Sequence, residues 1–203
     1  MITDIIKIKG DGKGSDEALT ATEKAAKYND LTGKEAIRLR LLTEELIGMF
    51  HGIAGGNGDA DFWIEENSRE YKIHMKAEVE MNQEVRKEFL SLSRTGENAA
   101  AKGFMGKLRD RISIALMPDP EADIIQRSVP IGYMAMGRPE SYEQTAAFLW
   151  TLQDYRNSLD KADKEDNEEA WDELEKSIVA NIADDVQVSV KGSVVDVAII
   201  KKF

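Results

Sequence analysis

The segment YKIHMKAEVE, residues 71–80, alternates apolar and polar side chains without a break. Successive side chains of a β-strand point to opposite faces, so this segment predicts a strand with one buried face and one solvated face. Residues 61–66 (DFWIEE) precede it across a short turn, and residues 185–202 alternate on either side of Lys191-Gly192-Ser193. Both arrangements are typical of β-hairpins, which predicts antiparallel strand pairs in a sheet covered on one side.

Between these strands, apolar residues recur at three- and four-residue steps, which is typical of amphipathic helices. The strongest example runs from about Lys34 to Ile53, and its apolar stripe contains Leu39, Leu42, Leu46, Met49, Phe50 and Ile53. Further helices are predicted at about 16–28, 83–91, 98–116, 140–160 and 165–182, and a short strand ending at Gly10 opens the chain. Strands in hairpins and helices in groups predict an α+β fold, a two-layer α/β sandwich with a mixed or antiparallel sheet and helices on one face. We expect a single domain over 1–203, with its core in 1–116 and 184–203 and a mainly helical insertion at 117–183.

Composition narrows the classes of function. The formal net charge of -11 makes nucleic acid and anionic membranes unfavourable partners. The absence of cysteine excludes disulfides, thiolate catalysis and zinc–cysteine sites. The sequence contains neither a signal peptide at its N-terminus nor an apolar run long enough for a membrane span, so we expect a cytoplasmic protein.

The first candidate site is the glycine-rich stretch KGDGKGSDE. Gly10, Gly12 and Gly14 follow a predicted strand and precede a predicted helix, a setting in which backbone N–H groups can bind phosphate. The spacing matches neither GxGxxG nor GxxxxGK[ST]. We therefore favour a turn that leads into the helix.

The second candidate is AAAKGFMGKLRD. Gly103 and Gly106 lie at a helix start and are flanked by Lys102 and Lys107, so the helix dipole, free N–H groups and two ammonium groups would suit an anion. The alternative is that the small residues allow this helix to approach the sheet closely.

The third candidate is Glu45, which lies roughly 90° from the centre of the apolar stripe of its helix at 100° per residue. Arg38 and Met49 fall on the same flank. Glu45 would therefore face any pocket beside the buried face, or it is a border charge paired with Arg38. The two histidines, His51 and His74, are expected at the surface.

Together these segments resemble the GHKL or Bergerat-fold ATPases, and among them the anti-sigma-factor serine kinases and the ATPase domains of histidine kinases. LRLLTEELIGMFHG looks like the N-box helix, and Glu45 falls on the glutamate that activates the attacking water or hydroxyl in that family. The strand at 71–80 leads to the place of the first glycine box, with Glu80 near the aspartate that recognises adenine. KGFMGKLRDRI stands where the second glycine box opens a helix, so the resemblance implies that Lys102, Gly103, Gly106 and Lys107 face phosphates. VQVSVKGSVVDVAII looks like the closing hairpin.

The chain departs from the family at its metal and glycine motifs. Met49 occupies the position of the N-box asparagine that binds Mg²⁺, and a thioether is a poor ligand for that hard cation. The DxGxG box is absent, with Glu80 or Met81 and then Gln83 in its place. Two functions stay open. One is a pseudo-ATPase-like protein-interaction module that binds a protein partner or a second copy of itself. The other is an active ATPase or serine kinase that binds ATP or ADP with Mg²⁺ and uses Glu45 as general base.

Overall fold

In the part of the chain that the structure describes, six strands form one sheet in which every pair of neighbours is antiparallel. The computed structural model describes residues 1–54, 58–79, 103–116, 148–161 and 164–203, with the side chains of 164–167 excepted. The strands are β1 (Ile6–Lys9), β2 (Asp59–Asn67), β3 (Glu70–Glu78), β4 (Phe148–Thr151), β5 (Asp185–Lys191) and β6 (Val194–Lys202). Their order across the sheet is β1-β2-β3-β6-β5-β4. The β2–β3 hairpin and the β5–β6 hairpin therefore meet where β3 pairs with β6.

The described helices cover one face of this sheet. They are α1 (Ser15–Tyr28), α2 (Gly33–Ala54), α3 (Gly103–Ala115), α4 (Leu152–Lys161), α5 (Lys164–Lys176) and α6 (Ile178–Ile182). The helices α1, α2 and α4 lie against β1–β2, β3–β6 and β4–β5 respectively, while α3 packs between α2 and α5. The predicted two-layer α+β arrangement is confirmed, and its sheet is antiparallel throughout.

The core lies between these two layers. Alternate strand residues supply its sheet side, and the apolar stripe of α2 supplies much of its helix side. Fully buried members include Ile8, Leu39, Leu42, Leu46, Phe62, Ile64, Tyr71, Ile73, Leu108, Ile112 and Leu152.

The helix predicted over 140–160 is wrong in its central part, because Phe148–Thr151 is the strand β4. Trp150 pairs with Val188 of β5 and is buried, whereas Leu149 is 38% exposed. This alternation is that of an edge strand, and a short apolar run cannot be assigned to helix or strand from periodicity alone. The stretch expected to be mainly helical thus contains an edge strand of the sheet before α4 begins.

Two other predicted helices need comment. The helix predicted over 165–182 is divided at Ser177, whose hydroxyl accepts a hydrogen bond of 3.2 Å from the N–H of Ala180 and so caps α6. The helix predicted over 83–91 and residues 98–102 of the next one lie outside the described residues.

The edge strand β1 is shielded by its own neighbours in the chain. Between the pairs Ile2↔Glu65 and Ile6↔Phe62, the first segment advances by four residues and β2 by three, which is a β-bulge. The glycine-rich turn then folds back, and the N–H of Lys9 donates to the carbonyl of Lys13 at 2.9 Å. Both features hinder pairing with another strand.

Candidate functional site

Glu45 lies in the middle of α2 at the border of its buried stripe, as the helical periodicity predicts. Its side chain is half-buried, whereas the neighbouring Glu44 is exposed and pairs with Arg40 at 2.9 Å. Arg38 is exposed, and no ion pair joins it to Glu45. The suggested pairing of Glu45 with Arg38 is therefore wrong.

Met49 lies one turn further along α2 and belongs to the hydrophobic core. It is 6% exposed and packs with Phe50 and Ile53 against Met75 of β3 and Val195 of β6. Met49 thus lies among apolar residues of α2 and of the sheet. A cation at this position would lose its hydration shell and gain no oxygen ligand, which is strongly unfavourable.

The glycine-bearing segment forms the start of α3. Gly103 is its first residue and has a φ of +71°, a left-handed conformation that favours glycine. Phe104 is buried, Gly106 is half-buried, and the Nζ of Lys107 lies 2.7 Å from Oε2 of Glu173 on α5. Both side chains of that ion pair are less than one-fifth exposed. The ammonium group that was expected to face a phosphate is therefore held by a carboxylate of the same chain.

The two candidate helices lie side by side. A Cβ placed on Gly52 of α2 would lie 2.9 Å from Cδ of Arg109 on α3, so the absence of a side chain at Gly52 admits the arginine stem. The helix of Glu45 and the helix of Gly103 are therefore direct neighbours in the structure. Lys102 and Glu80, the remaining candidate site residues, lie outside the described residues.

An aromatic cluster joins α3 to β4 and α4. The ring centroids of Phe104, Trp150 and Tyr155 lie 5.9 to 6.1 Å from one another. Burial raises the pKa of Tyr155 to about 12, with a further rise from the Glu173 carboxylate and an opposing effect from Arg111. Phe104 thus packs against β4 and α4.

The glycine-rich stretch before α1 has a structural role. Gly14 caps α1 with a φ of +88°, and a Cβ there would overlap the carbonyl oxygen of Lys7. Asp16 and Glu17 occupy the first turn of α1, where they would repel an anion. The preferred interpretation as a turn leading into a helix is confirmed.

The face of the sheet opposite the helices carries a feature that the sequence analysis missed. Trp63 of β2 and His74 of β3 are cross-strand neighbours whose rings stack 4.6 Å apart with an interplanar angle of 3°. The Nε1 of Trp63 donates a hydrogen bond of 3.1 Å to Glu65. His74 is therefore not an ordinary surface residue, since 16% of its side chain is exposed. The signal was present in the hairpin register, which sets these two residues opposite each other.

A polar groove lies beside this stack, at the end of the open face where β2 begins. It has a volume of about 710 Å³ and is lined mainly by charged residues of β1, β2 and β3, among them Lys7, Asp59, Asp61, Lys76 and Glu78. Lys7 and Asp61 form an ion pair of 2.5 Å. The groove therefore offers both signs of charge to a ligand.

Metal ligands and membrane-spanning helices were both sought in the described parts of the chain. No group of three His, Asp or Glu side chains there is arranged to hold a metal ion. None of the described helices combines the length and the hydropathy that crossing a membrane requires.

Comparisons with known proteins give no further assignment. No protein-family model, no curated protein and no solved structure matches the chain.

Proposed function

We propose that this chain is a pseudo-ATPase-like protein-interaction module on a Bergerat-type fold, with its binding surface on the open face of the sheet. The observation that carries the proposal is the burial of Met49, because the position expected to bind Mg²⁺ is a core position. Phosphoryl transfer depends on a metal ion that neutralises the charge developing on the phosphates. A chain without that ligand has lost one essential part of the reaction.

The surroundings of Lys107 support the same conclusion. Its ammonium group is paired with Glu173 in a partly buried setting, so a phosphate at this point would meet the Glu173 carboxylate and be repelled. Phe104, which lies three residues before Lys107, is packed against Trp150 and Tyr155. Elements of the insertion thus occupy the surroundings of the helix that would bind phosphate.

The open face has properties that suit a protein partner. It combines an aromatic stack, Trp63 with His74, and a groove whose charges are of both signs. Aromatic anchors surrounded by polar groups are typical of protein interfaces. The net charge of -11 disfavours nucleic acid and anionic membranes, so we propose a protein partner or a second copy of this chain, in the cytoplasm.

One observation favours the alternative, an adenine-nucleotide-binding ATPase or serine kinase. Glu45 is half-buried and forms no ion pair with a described residue, although an apolar side chain would suit the border of the stripe. A half-buried carboxylate that is not in an ion pair is able to accept a proton as a general base.

Thermal unfolding with nucleotide separates the two functions. A ligand present at a hundred times its dissociation constant stabilises a protein by about 2.7 kcal/mol, which raises the melting temperature by several degrees in a domain of this size. We expect no rise with millimolar ATP or ADP, with Mg²⁺ or with EDTA. A rise that EDTA removes would overturn the proposal in favour of the alternative, and Glu45→Gln should then retain binding and lose turnover.

The oligomeric form of the proposal has its own test. Sedimentation velocity over a hundredfold range of concentration should reveal a self-associating species if the partner is a second copy. Lys76→Glu places a like charge beside Asp61 on the open face, so it should weaken that association. Lys24→Glu, on α1 and away from that face, is the matched control. Equal association of both variants would exclude the open face as the contact.

A further inference from the structure

The stack of Trp63 and His74 leaves one polar atom in an unusual position. Among the residues that the structure describes, none forms a hydrogen bond to the buried Nε2 of His74, and the closest carboxylate oxygen, Oε2 of Glu65, lies 3.7 Å away. That separation is too long for a hydrogen bond. The other oxygen of Glu65 accepts the indole N–H of Trp63 at 3.1 Å, which holds the carboxylate in this place.

This geometry suits a neutral imidazole better than an imidazolium. A proton on Nε2 would lie in a site from which solvent is nearly excluded and would find no acceptor within hydrogen-bond distance. The charged groups that act on His74 come from its own strand and from both neighbouring strands: Lys72 on β3, Glu65 on β2 and Asp196 on β6. The two carboxylates favour the charged form and Lys72 opposes it. Burial is the largest effect, and the net result is a pKa of His74 below its usual value.

We propose that Trp63, His74 and Glu65 form a pH-sensitive clasp on the open face, closed while His74 is neutral and opened when the imidazole is protonated. In the closed form, the imidazole covers one face of the indole. A solvated imidazolium regains its hydration, so proton binding favours a conformation in which His74 has left the stack. Opening exposes the ring face of Trp63, the largest side chain of this surface.

The clasp has a consequence for binding that rests on the proposed function. If a partner docks on the open face, acidification changes the surface that it meets, and affinity becomes pH-dependent. The clasp itself requires no partner. Its test can therefore fail or succeed independently of the interaction module.

The decisive experiment is an NMR titration of the whole chain from pH 8 to pH 5. The chain has two histidines and three tryptophans, so His74→Phe and Trp63→Phe suffice to assign the ring resonances of this pair. We expect His74 to titrate below 6.5, with the Trp63 indole N–H resonance moving at the same midpoint. Nuclear Overhauser contacts between the two rings should be present above that midpoint and lost below it. Contacts that persist in the protonated form, or a Trp63 resonance that does not follow His74, would overturn the proposal.

A pair of matched variants tests the role of the carboxylate. Glu65→Gln keeps an acceptor for the indole N–H but removes a charge that favours the imidazolium, so the midpoint should move to lower pH. Glu78→Gln changes the same type of residue on β3, on the same face but four residues from His74, and should leave the midpoint unchanged. Equal midpoints in the two variants would show that Glu65 is not part of the clasp.

Discussion

The side-chain oxygens of Thr22 and Thr43 lie 3.1 Å apart in the buried interface between α1 and α2. Oγ1 of Thr22 also lies 2.8 Å from the carbonyl oxygen of Ala18, and Oγ1 of Thr43 lies 3.2 Å from that of Leu39. One hydroxyl can donate to the other while the second donates to its own helix. The pair thus forms a hydrogen-bonded chain within an otherwise apolar contact.

A double-mutant cycle on this pair should be strongly non-additive. Thr22→Val or Thr43→Val alone removes one partner from a buried hydroxyl, at an expected cost of about 1–2 kcal/mol in the free energy of unfolding. The double variant replaces both hydroxyls by methyl groups of similar shape and should cost less than the sum of the single variants. Urea unfolding monitored by circular dichroism measures all four forms. Strict additivity would contradict the presence of this hydrogen bond.

The close approach of Gly14 to Lys7 predicts that alanine substitutions at two glycines of the same loop will destabilise the fold by very different amounts. Gly12 and Gly14 have nearly equal φ angles, +91° and +88°, but a Cβ at Gly12 meets nothing within 4 Å whereas one at Gly14 overlaps the backbone of Lys7. Gly12→Ala should therefore cost about 1–2 kcal/mol for its backbone conformation alone. Gly14→Ala should cost at least a further 2 kcal/mol, roughly the scale of a steric disruption. Chemical denaturation of both variants checks this, and equal losses would show that Gly14 does not approach β1.

The hairpins and α2 could be predicted from the sequence because each has a local signature. The alternation about Ile73 and the three- and four-residue steps through Leu42 and Leu46 reflect which side chains are buried, and burial is decided by the nearest neighbours in the element. The strand β4 could not be predicted in the same way. Its four residues become a strand because β5 offers a free edge, and the partner Val188 lies far along the chain from Trp150.

The candidate site was predicted only in part for a similar reason. The sequence predicted the helix of Glu45 and the glycine-bearing helix of Gly103, and the structure contains both. The ion pair between Lys107 and Glu173 and the stack of Trp63 on His74 are contacts that tertiary structure creates. The stack of Trp63 on His74 could have been found from the hairpin register, since the turn at residues 67–70 (NSRE) fixes which residues of β2 and β3 face each other.

The ion pair of Lys107 and Glu173 predicts that two adjacent carboxylates of α5, Glu173 and Asp172, contribute unequally to the free energy of unfolding. Glu173→Gln removes the charged carboxylate from this partly buried ion pair and should cost about 1–3 kcal/mol. Asp172→Asn, the neighbouring residue on α5, breaks the pair with Lys176, in which both side chains are more than half exposed, and should have a much smaller effect on the free energy of unfolding. Urea unfolding of the two variants gives the comparison. A small effect of Glu173→Gln would show that Lys107 does not depend on this carboxylate, and would weaken the proposal that the anion site is blocked.

The burial of Tyr155 predicts a loss of stability in alkali. Its pKa in the folded chain is about 12, above the usual value of 10.0, so the folded state keeps this proton at a pH at which the unfolded state has released it. Between about pH 10 and pH 12 the unfolded chain binds fewer protons than the folded one, and the free energy of unfolding must fall as the pH rises. Tyr155→Phe should remove this contribution and flatten the pH dependence, whereas Tyr28→Phe, at a side chain that is 75% exposed, should leave it unchanged.

Absorbance at 295 nm should show a tyrosine that titrates late in the wild type and is missing in Tyr155→Phe. A wild-type titration in which every tyrosine ionises near pH 10 would mean that the cluster of Phe104, Trp150 and Tyr155 is open to solvent, and the packing of the insertion against α3 would then be in doubt.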